Sequence, residues 1–296
     1  MMVHFAGLGS MGLGMAASLA RAGHEVHGTD PRAARVGLVR DAGGHALGPG
    51  SPEAEALVSA VLNADQTRAV LFGEGGLAAR LRPGGVILSC ATVPPGFAEE
   101  MEAEATAHGL LYLDAPISGG AARAAEGRLS IMASGTPAAF DAAAPALDAM
   151  AETVHRLGDR AGAGSAMKAV NQLLAGVHIA AMGEALAFAA SQGLDLARVV
   201  EVIRVSAGTS WMFENRAPHV VEADYTPRSS VDIWPKDLGI VTAIAGEAGL
   251  PLSVTEAALE AFRAASAAGL GAEDDAAVTK HIAAKAGIAL PGGNGA

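Results

Sequence analysis

Lys168, Asn171 and Gln172 stand at i, i+3 and i+4 in a stretch otherwise dominated by Ala, Val, Leu and Met. On a helix this spacing puts all three on one face. An amine beside two amides suits proton exchange with an alcohol: the amine takes or returns the proton, and the amides hold the oxygen. The bland alternative is a lysine snorkelling from a helix end. Ser118, Gly119 and Gly120 form a second group. Two glycines after a serine expose backbone N–H groups with no side chain in the way, which suits a carboxylate, although Ser118 as an ordinary helix cap is compatible with the same residues. Lys236–Asp237, at the start of a later helix, reads by default as a surface charge pair.

What reaction these groups serve depends on the N-terminus. Residues 2–7 are a short apolar run, Gly7-Leu8-Gly9-Ser10-Met11-Gly12 is a GxGxxG turn, Leu13–Ala22 is helical in pattern, and Glu25–Thr29 is a second strand ending at Asp30. This order gives the turn its specificity for a dinucleotide. Gly7 permits the tight turn, Gly9 lets backbone approach a pyrophosphate, and Gly12 lets helix and strand pack closely, with the phosphates on the helix N-terminus. Asp30 at the strand end accepts from both ribose hydroxyls and repels a 2′-phosphate, which favours NAD over NADP. Arg32 and Arg35 soften that preference unless they belong to a solvated helix face. Near an oxidised nicotinamide and in an apolar site, desolvation and like charge both favour the neutral amine of Lys168, the form that accepts a proton.

The elements that must position these groups fall into two halves. Further strands are expected at Ala56–Leu62, Gly85–Ser89, Leu110–Leu113, Leu129–Ser134 and Thr153–Leu157, separated mostly by helical patterns. The fold class is therefore α/β: an N-terminal Rossmann-type doubly wound sheet, then an all-α C-terminal domain joined by a long interdomain helix. Asn63, Thr92 and Ser118 fall at strand ends, where such sheets bind ligands; singly, each reads as a turn former or cap. The long helix is Gly164–Gly193, roughly 29 residues and about 45 Å. After it, helices are expected near Leu196–Val205, Lys236–Ala248, Leu252–Ala267 and Asp275–Ala286. The expected domains are 1–163 for the dinucleotide, 164–290 for substrate and oligomerisation, and a flexible tail at 291–296. Trp211, Met212, Phe213 and Trp234 either line an active-site cleft or pack in the core.

Composition narrows the class. A formal charge of −11 over 296 residues, with no basic patch, argues against nucleic acid. A single cysteine, Cys90, fits a reducing cytoplasm. The N-terminus reads as a strand rather than a signal peptide. Gly164–Gly193 is long enough to span a bilayer, but Lys168, Asn171, Gln172, His178 and Glu184 interrupt it, so no membrane role is expected. The nine histidines show no metal-ligand spacing, and no metal site is expected. There is no GxSxG elbow for a serine hydrolase.

FAGLGSMGLGMA at the N-terminus, DAPISGGAARAAEG in the middle, GAGSAMKAVNQ at the long helix and PKDLGI beyond it resemble, in order and spacing, the β-hydroxyacid dehydrogenase family. The resemblance covers nearly the whole chain. It implies that Lys168 is the catalytic lysine, that Ser118, Gly119 and Gly120 contact a substrate carboxylate, and that Asn171 and Gln172 share an amide role. It further implies that Lys236 reaches cofactor and substrate, with Thr92 near the nicotinamide and Asn63 on a cofactor-side loop. AVNQLLAGVHIAA, SAGTSWMFENR, DYTPRSSVDI and GAEDDAAVTK are similar to the branch that oxidises L-threonate at C2; 3-hydroxyisobutyrate or another short β-hydroxyacid is the in-class alternative. A homodimer or homotetramer through the helical domain is implied too. Three departures stand out: Asn171-Gln172 where many members carry two asparagines, Trp234-Pro235 before Lys236, and SCATVPP for the more usual SSTxxP. A non-catalytic dinucleotide-binding scaffold is the reading from another class.

Overall fold

The computed structural model describes residues 1–292. Of the tail expected at 291–296, all but the first two residues lie outside them. The chain divides into two compact units, Met1–Lys168 and the part from Ala169 onward.

The first unit alternates strand and helix. β1 (Met2–Ala6), α1 (Ser10–Arg21), β2 (Glu25–Thr29), α2 (Ala33–Asp41), β3 (His45–Ala46), β4 (Ala54–Ser59), α3 (Ala64–Phe72), β5 (Leu81–Ser89), α4 (Pro95–Ala107) and β6 (Leu111–Asp114) build a six-stranded sheet. Its order is β3-β2-β1-β4-β5-β6 and all its pairs are parallel. The order reverses between β1 and β4, the switch point where such sheets bind dinucleotides. Helices cover both faces, so the inner strands are buried on both: Phe5, Val58 and Leu88 pack into one core and Leu57 and Ile87 into the other. The chain then leaves this sheet. β7 (Ile117–Ser118), α5 (Gly120–Glu126), β8 (Leu129–Ala133), α6 (Pro137–Met150) and β9 (Ala151–Arg156) form a separate three-stranded sheet, with β7 antiparallel and β9 parallel to β8. The expected continuous sheet is thus split after Asp114, where Pro116 cannot donate to a ladder.

His4 sits mid-strand in β1, completely buried, with one ring nitrogen on the Pro52 carbonyl at 3.0 Å. Burial pulls its pKa down to about 4. An unfolded chain takes up this proton near pH 6.5 while the folded one resists it, so His4 erodes stability as pH falls from about 6.5 towards 4. The thermal midpoint is expected to drop through that window, and to drop less in His4→Asn. Equal losses in both proteins would assign the acid sensitivity to other groups.

α7 (Ala163–Ser191) carries the boundary between the units, which falls just after Lys168. Among the described residues it is the one helix long and apolar enough to cross a membrane, by length and composition alone. The second unit continues with α8 (Leu196–Arg204), α9 (Trp211–Glu222), α10 (Ile233–Glu247), α11 (Ser253–Ala265) and α12 (Val278–Lys285). α9 is absent from the expected set. It begins with the Ser210 hydroxyl accepting from Phe213 N at 3.0 Å and runs through Pro218. Trp234, Phe213 and Met212 are buried, and Trp234 stacks on Phe262 at 5.4 Å, so the core reading holds for these three; Trp211 is exposed.

Candidate active site

The glycines of the first turn have distinct jobs. Gly7 has φ +91°, and a Cβ there would sit 2.5 Å from the Ala60 carbonyl oxygen. A Cβ on Gly12 would sit 1.9 Å from Gly7 O, so α1 can pack on the turn only with glycine there. Around Gly9 a Cβ would meet only the Arg32 guanidinium, at 4.0 Å. The protein leaves that side open, which is the space a pyrophosphate approaching the backbone needs. α1 begins after this glycine without a side-chain cap or an acid in its first turn, so no side chain of its own competes with an anion for its first N–H groups. The chain thus has the cradle that a dinucleotide requires.

Asp30 is more committed than the sequence suggests. Its Oδ2 accepts from Leu8 N at 2.9 Å, and its Oδ1 accepts from Arg32 N at 2.9 Å and Arg32 Nε at 3.1 Å. Burial pushes its carboxyl up, but the hydrogen bonds from Arg32 and Leu8 outweigh it and hold it below the usual carboxylate range. Asp30 therefore ties the glycine turn to Arg32. That arginine caps the start of α2, its side chain largely in solvent and paired with Asp30.

The other strand-end residues separate. Asn63 caps α3, its Oδ1 accepting from Gln66 N at 2.9 Å. Thr92 lies half-buried in the loop after β5. Ser118 is not at an end of the six-stranded sheet; it is in β7, registered with Ser130 of β8. Gly119 (φ +138°) and Gly120 (φ +78°) both hold backbone that other residues rarely adopt, and a Cβ on Gly120 would meet nothing within 4 Å. The helix they open is only seven residues long, so the N–H groups themselves, more than a macrodipole, would hold an anion.

Lys168 is buried, 8% exposed, and its Nζ donates to the Ile117 carbonyl at 2.9 Å. This is not a snorkelling side chain. The bond fixes the amine to the residue just before Ser118-Gly119-Gly120. What fixes the lysine's own helix is Asp114, which sequence reasoning missed. Asp114 ends β6 and is buried. It accepts from Gly162 N at 3.0 Å, Ser165 N at 2.8 Å, Ser165 Oγ at 2.7 Å and Ser134 Oγ at 3.3 Å. Burial raises its carboxyl above the usual range against the pull of these donors. Ser134 Oγ also accepts from Gly164 N at 2.9 Å, and a Cβ on Gly164 would sit 2.5 Å from Met132 O. The start of α7 is welded to the ends of β6 and β8, and Lys168 lies about one turn further on. The available signal was an acid at a strand end 48 residues before a glycine-bounded helix start.

In the second unit the two amides are not equivalent. Gln172 is buried; it donates to Asp237 Oδ2 and accepts from Asn171 Nδ2 at 2.9 Å. Asp237 is buried and pairs with Lys236 Nζ at 2.5 Å, so Lys236–Asp237 is no surface charge pair. Both sit in the first turns of α10, which begins three residues before Lys236. There Pro235 lacks only an N–H that the helix start leaves unused. A Cβ on Gly176 would lie 2.9 Å from Trp234 Cε3, so glycine lets α7 approach α10 closely enough for Gln172 to reach Asp237.

Residues 2–158 match the NAD binding domain of 6-phosphogluconate dehydrogenase, and residues 162–282 match the NAD-binding family of NADP-dependent 3-hydroxyisobutyrate dehydrogenase. The chain is 50% identical over 291 residues to an L-threonate dehydrogenase of Cupriavidus necator, covering 97% of this chain and 96% of that one. It is 45% identical over 294 residues to an L-threonate dehydrogenase of Escherichia coli K12, covering 98% and 96%. A crystal structure of 3-hydroxyisobutyrate dehydrogenase from Salmonella typhimurium superposes with a TM-score of 0.90 at 47% identity, covering 94% of this chain and 99% of that one.

Proposed function

Because this chain belongs to the family of NAD-binding hydroxyacid dehydrogenases that includes the L-threonate and 3-hydroxyisobutyrate enzymes, we propose that it oxidises L-threonate at C2 to 2-dehydro-L-erythronate. Full-length identity to enzymes of that name supports the substrate. The reaction type rests on one observation: a buried Lys168 whose Nζ is held at 2.9 Å by the carbonyl preceding Ser118-Gly119-Gly120.

When bound, NAD supplies the hydride acceptor. The Gly7–Gly12 turn and the start of α1 would hold its pyrophosphate, Asp30 with Arg32 its adenosine ribose, and Thr92 and the Asn63 loop would complete the cofactor side of the site. Lys168 takes the C2 hydroxyl proton. The N–H groups of Gly119 and Gly120, with the Ser118 hydroxyl, hold the substrate carboxylate. Asn171, half-buried, contacts substrate oxygen, and Gln172 positions it by spanning Asn171 and Asp237. Lys236 contributes a cation whose direction Asp237 sets. A four-carbon polyol acid suits such a set of amides and hydroxyls, because each buried substrate hydroxyl needs a partner. The enzyme works in the cytoplasm, as its single, buried cysteine suggests. It assembles as a homodimer or homotetramer through its helical part, where Phe188 and Val205 leave apolar surface exposed.

A panel of C3–C4 hydroxy acids run with NAD and NADP decides the substrate. L-Threonate with NAD should give the highest kcat/KM. A tenfold preference for 3-hydroxyisobutyrate, the activity named for the Salmonella structure, would overturn the assignment. In the same assay Asp30→Ala should raise KM for NAD about tenfold or more, since the turn loses its acceptor at Leu8 N, and should move the NAD/NADP ratio towards NADP as Arg32 is released. An unchanged ratio would remove Asp30 from cofactor selection.

A further inference from the structure

Three side chains that the dehydrogenase chemistry does not use converge at the β2–β3 edge of the first unit. Glu25 and His27 are two apart on β2 and so leave it on the same face. His45 is registered opposite His27 on β3. Their ligand atoms all lie within 4.8 Å of one another. His27 Nε2 is 3.2 Å from Glu25 Oε1, and the two imidazole rings are 5.0 Å apart, centroid to centroid, at 41°. We propose that Glu25, His27 and His45 form a binding site for a divalent ion of the zinc class. The absence of ligand spacing along the chain hid this site: the register between β2 and β3 creates it.

The donor set is right for the ion. Two imidazoles and a carboxylate, with a position left for water, are a zinc combination. Donors around a tetrahedral zinc stand roughly 3.3 Å apart, so the Glu25–His27 edge already has that length. His45 is exposed on a two-residue edge strand and needs to close by at most about 1.5 Å to reach the same spacing. His27 also has the outer partner that metal-bound histidines use. Its Nδ1 is 2.8 Å from Ser51 Oγ, which in turn accepts from Gly48 N at 3.1 Å. With Nδ1–H donating to Ser51, the Nε2 lone pair faces Glu25, and two electron-rich atoms 3.2 Å apart call for a cation between them. In the apo protein the other tautomer serves: Nε2–H donates to Glu25, and the Ser51 hydroxyl donates to Nδ1. Both states are satisfied, as reversible occupancy requires. Behind the cluster His4, registered opposite His27 on β1 with its ring 6.2 Å away, is engaged with Pro52 O and backs the site without joining it.

An ion here would staple the edge strand, which meets β2 through only two registered pairs. The test uses the untagged full-length protein after chelator treatment. It is titrated with Zn2+ against a chromophoric chelator, and with Co2+ to read its visible ligand-field bands. One equivalent should bind, with tetrahedral-type cobalt absorption and a zinc-dependent rise in thermal midpoint. His45→Ala and Glu25→Gln change exposed side chains and should fold normally, each weakening zinc at least tenfold and leaving NAD affinity unchanged. Lack of saturable binding overturns the proposal. So does undiminished binding in His45→Ala, which would move the ion elsewhere, for instance to the N-terminal amine and His24, 3.2 Å apart. The readout is occupancy rather than turnover, so failure here leaves the dehydrogenase reading untouched.

Discussion

Lys168→Ala is expected to lower kcat for hydroxy-acid oxidation by roughly 10²- to 10⁴-fold, the usual contribution of a positioned acid–base group. The affinity for NAD should change little, because the glycine turn, the α1 N-terminus and Asp30 are intact. The argument rests on position: the amine is 8% exposed and held by the Ile117 carbonyl beside Ser118-Gly119-Gly120, and alanine leaves no proton acceptor at that place. Lys168→Arg separates proton transfer from charge. A guanidinium keeps the charge but does not give up its proton near neutral pH, so Lys168→Arg should be as inactive as the alanine variant. If arginine retained a tenth of the activity, Lys168 would be an electrostatic group and the acid–base role would fall. Steady-state turnover, together with cofactor titration by fluorescence, gives both readings.

The second large effect belongs to a residue that touches neither substrate nor cofactor. Asp114→Ala should destabilise the protein by about 3–5 kcal/mol, because it strips the acceptor from several buried neutral donors at once. Each donor it abandons, at Gly162, Ser165 and Ser134, is a buried group worth about 1–3 kcal/mol when left unsatisfied. A loss of that size lowers the thermal midpoint by on the order of 10 °C. Turnover should fall as well at temperatures where the variant is folded, with kcat affected more than KM, because the start of α7 aims Lys168. Asp114→Asn keeps the shape and one acceptor oxygen but turns an NH2 towards donors, so only part of the stability should return. A midpoint within a degree or two of the parent in Asp114→Ala would show that the helix start is held by something else.

These two residues mark what a sequence can disclose. Lys168 was legible because a cation on an apolar helix demands a reason and the glycine turn supplied one. Asp114 was not, because a strand-end acid before Ala-Pro looks like any turn, and its donors come from far along the chain. The parallel sheet was legible through its apolar runs, yet their limits drifted: the run expected over Ala56–Leu62 is a strand at Ala54–Ser59, and Leu62 is exposed. The two-residue strands β3 and β7 carry too little pattern to see. α9 was hidden because its aromatic start and the internal Pro218 interrupt a helical pattern, although the core packing of Met212 and Phe213 was one of the two readings open. The division of labour between Asn171 and Gln172 needed Asp237, which comes from another helix.

The clamp on α7 also sets an order of events during synthesis. Asp114 leaves the ribosome 48 residues before Gly162, the first of its backbone donors. At about 5–20 residues per second the carboxylate waits for several seconds with β6 already made. During that wait only the Ser134 hydroxyl among its partners has been translated, and the end of the sheet stays wet. When Gly162 and Ser165 arrive, the growing helix finds its N-terminal anchor prepared, and the lysine that follows is placed as its own turn forms. The reactive amine is thus among the last parts of the first unit to be set, after the cofactor cradle that it serves.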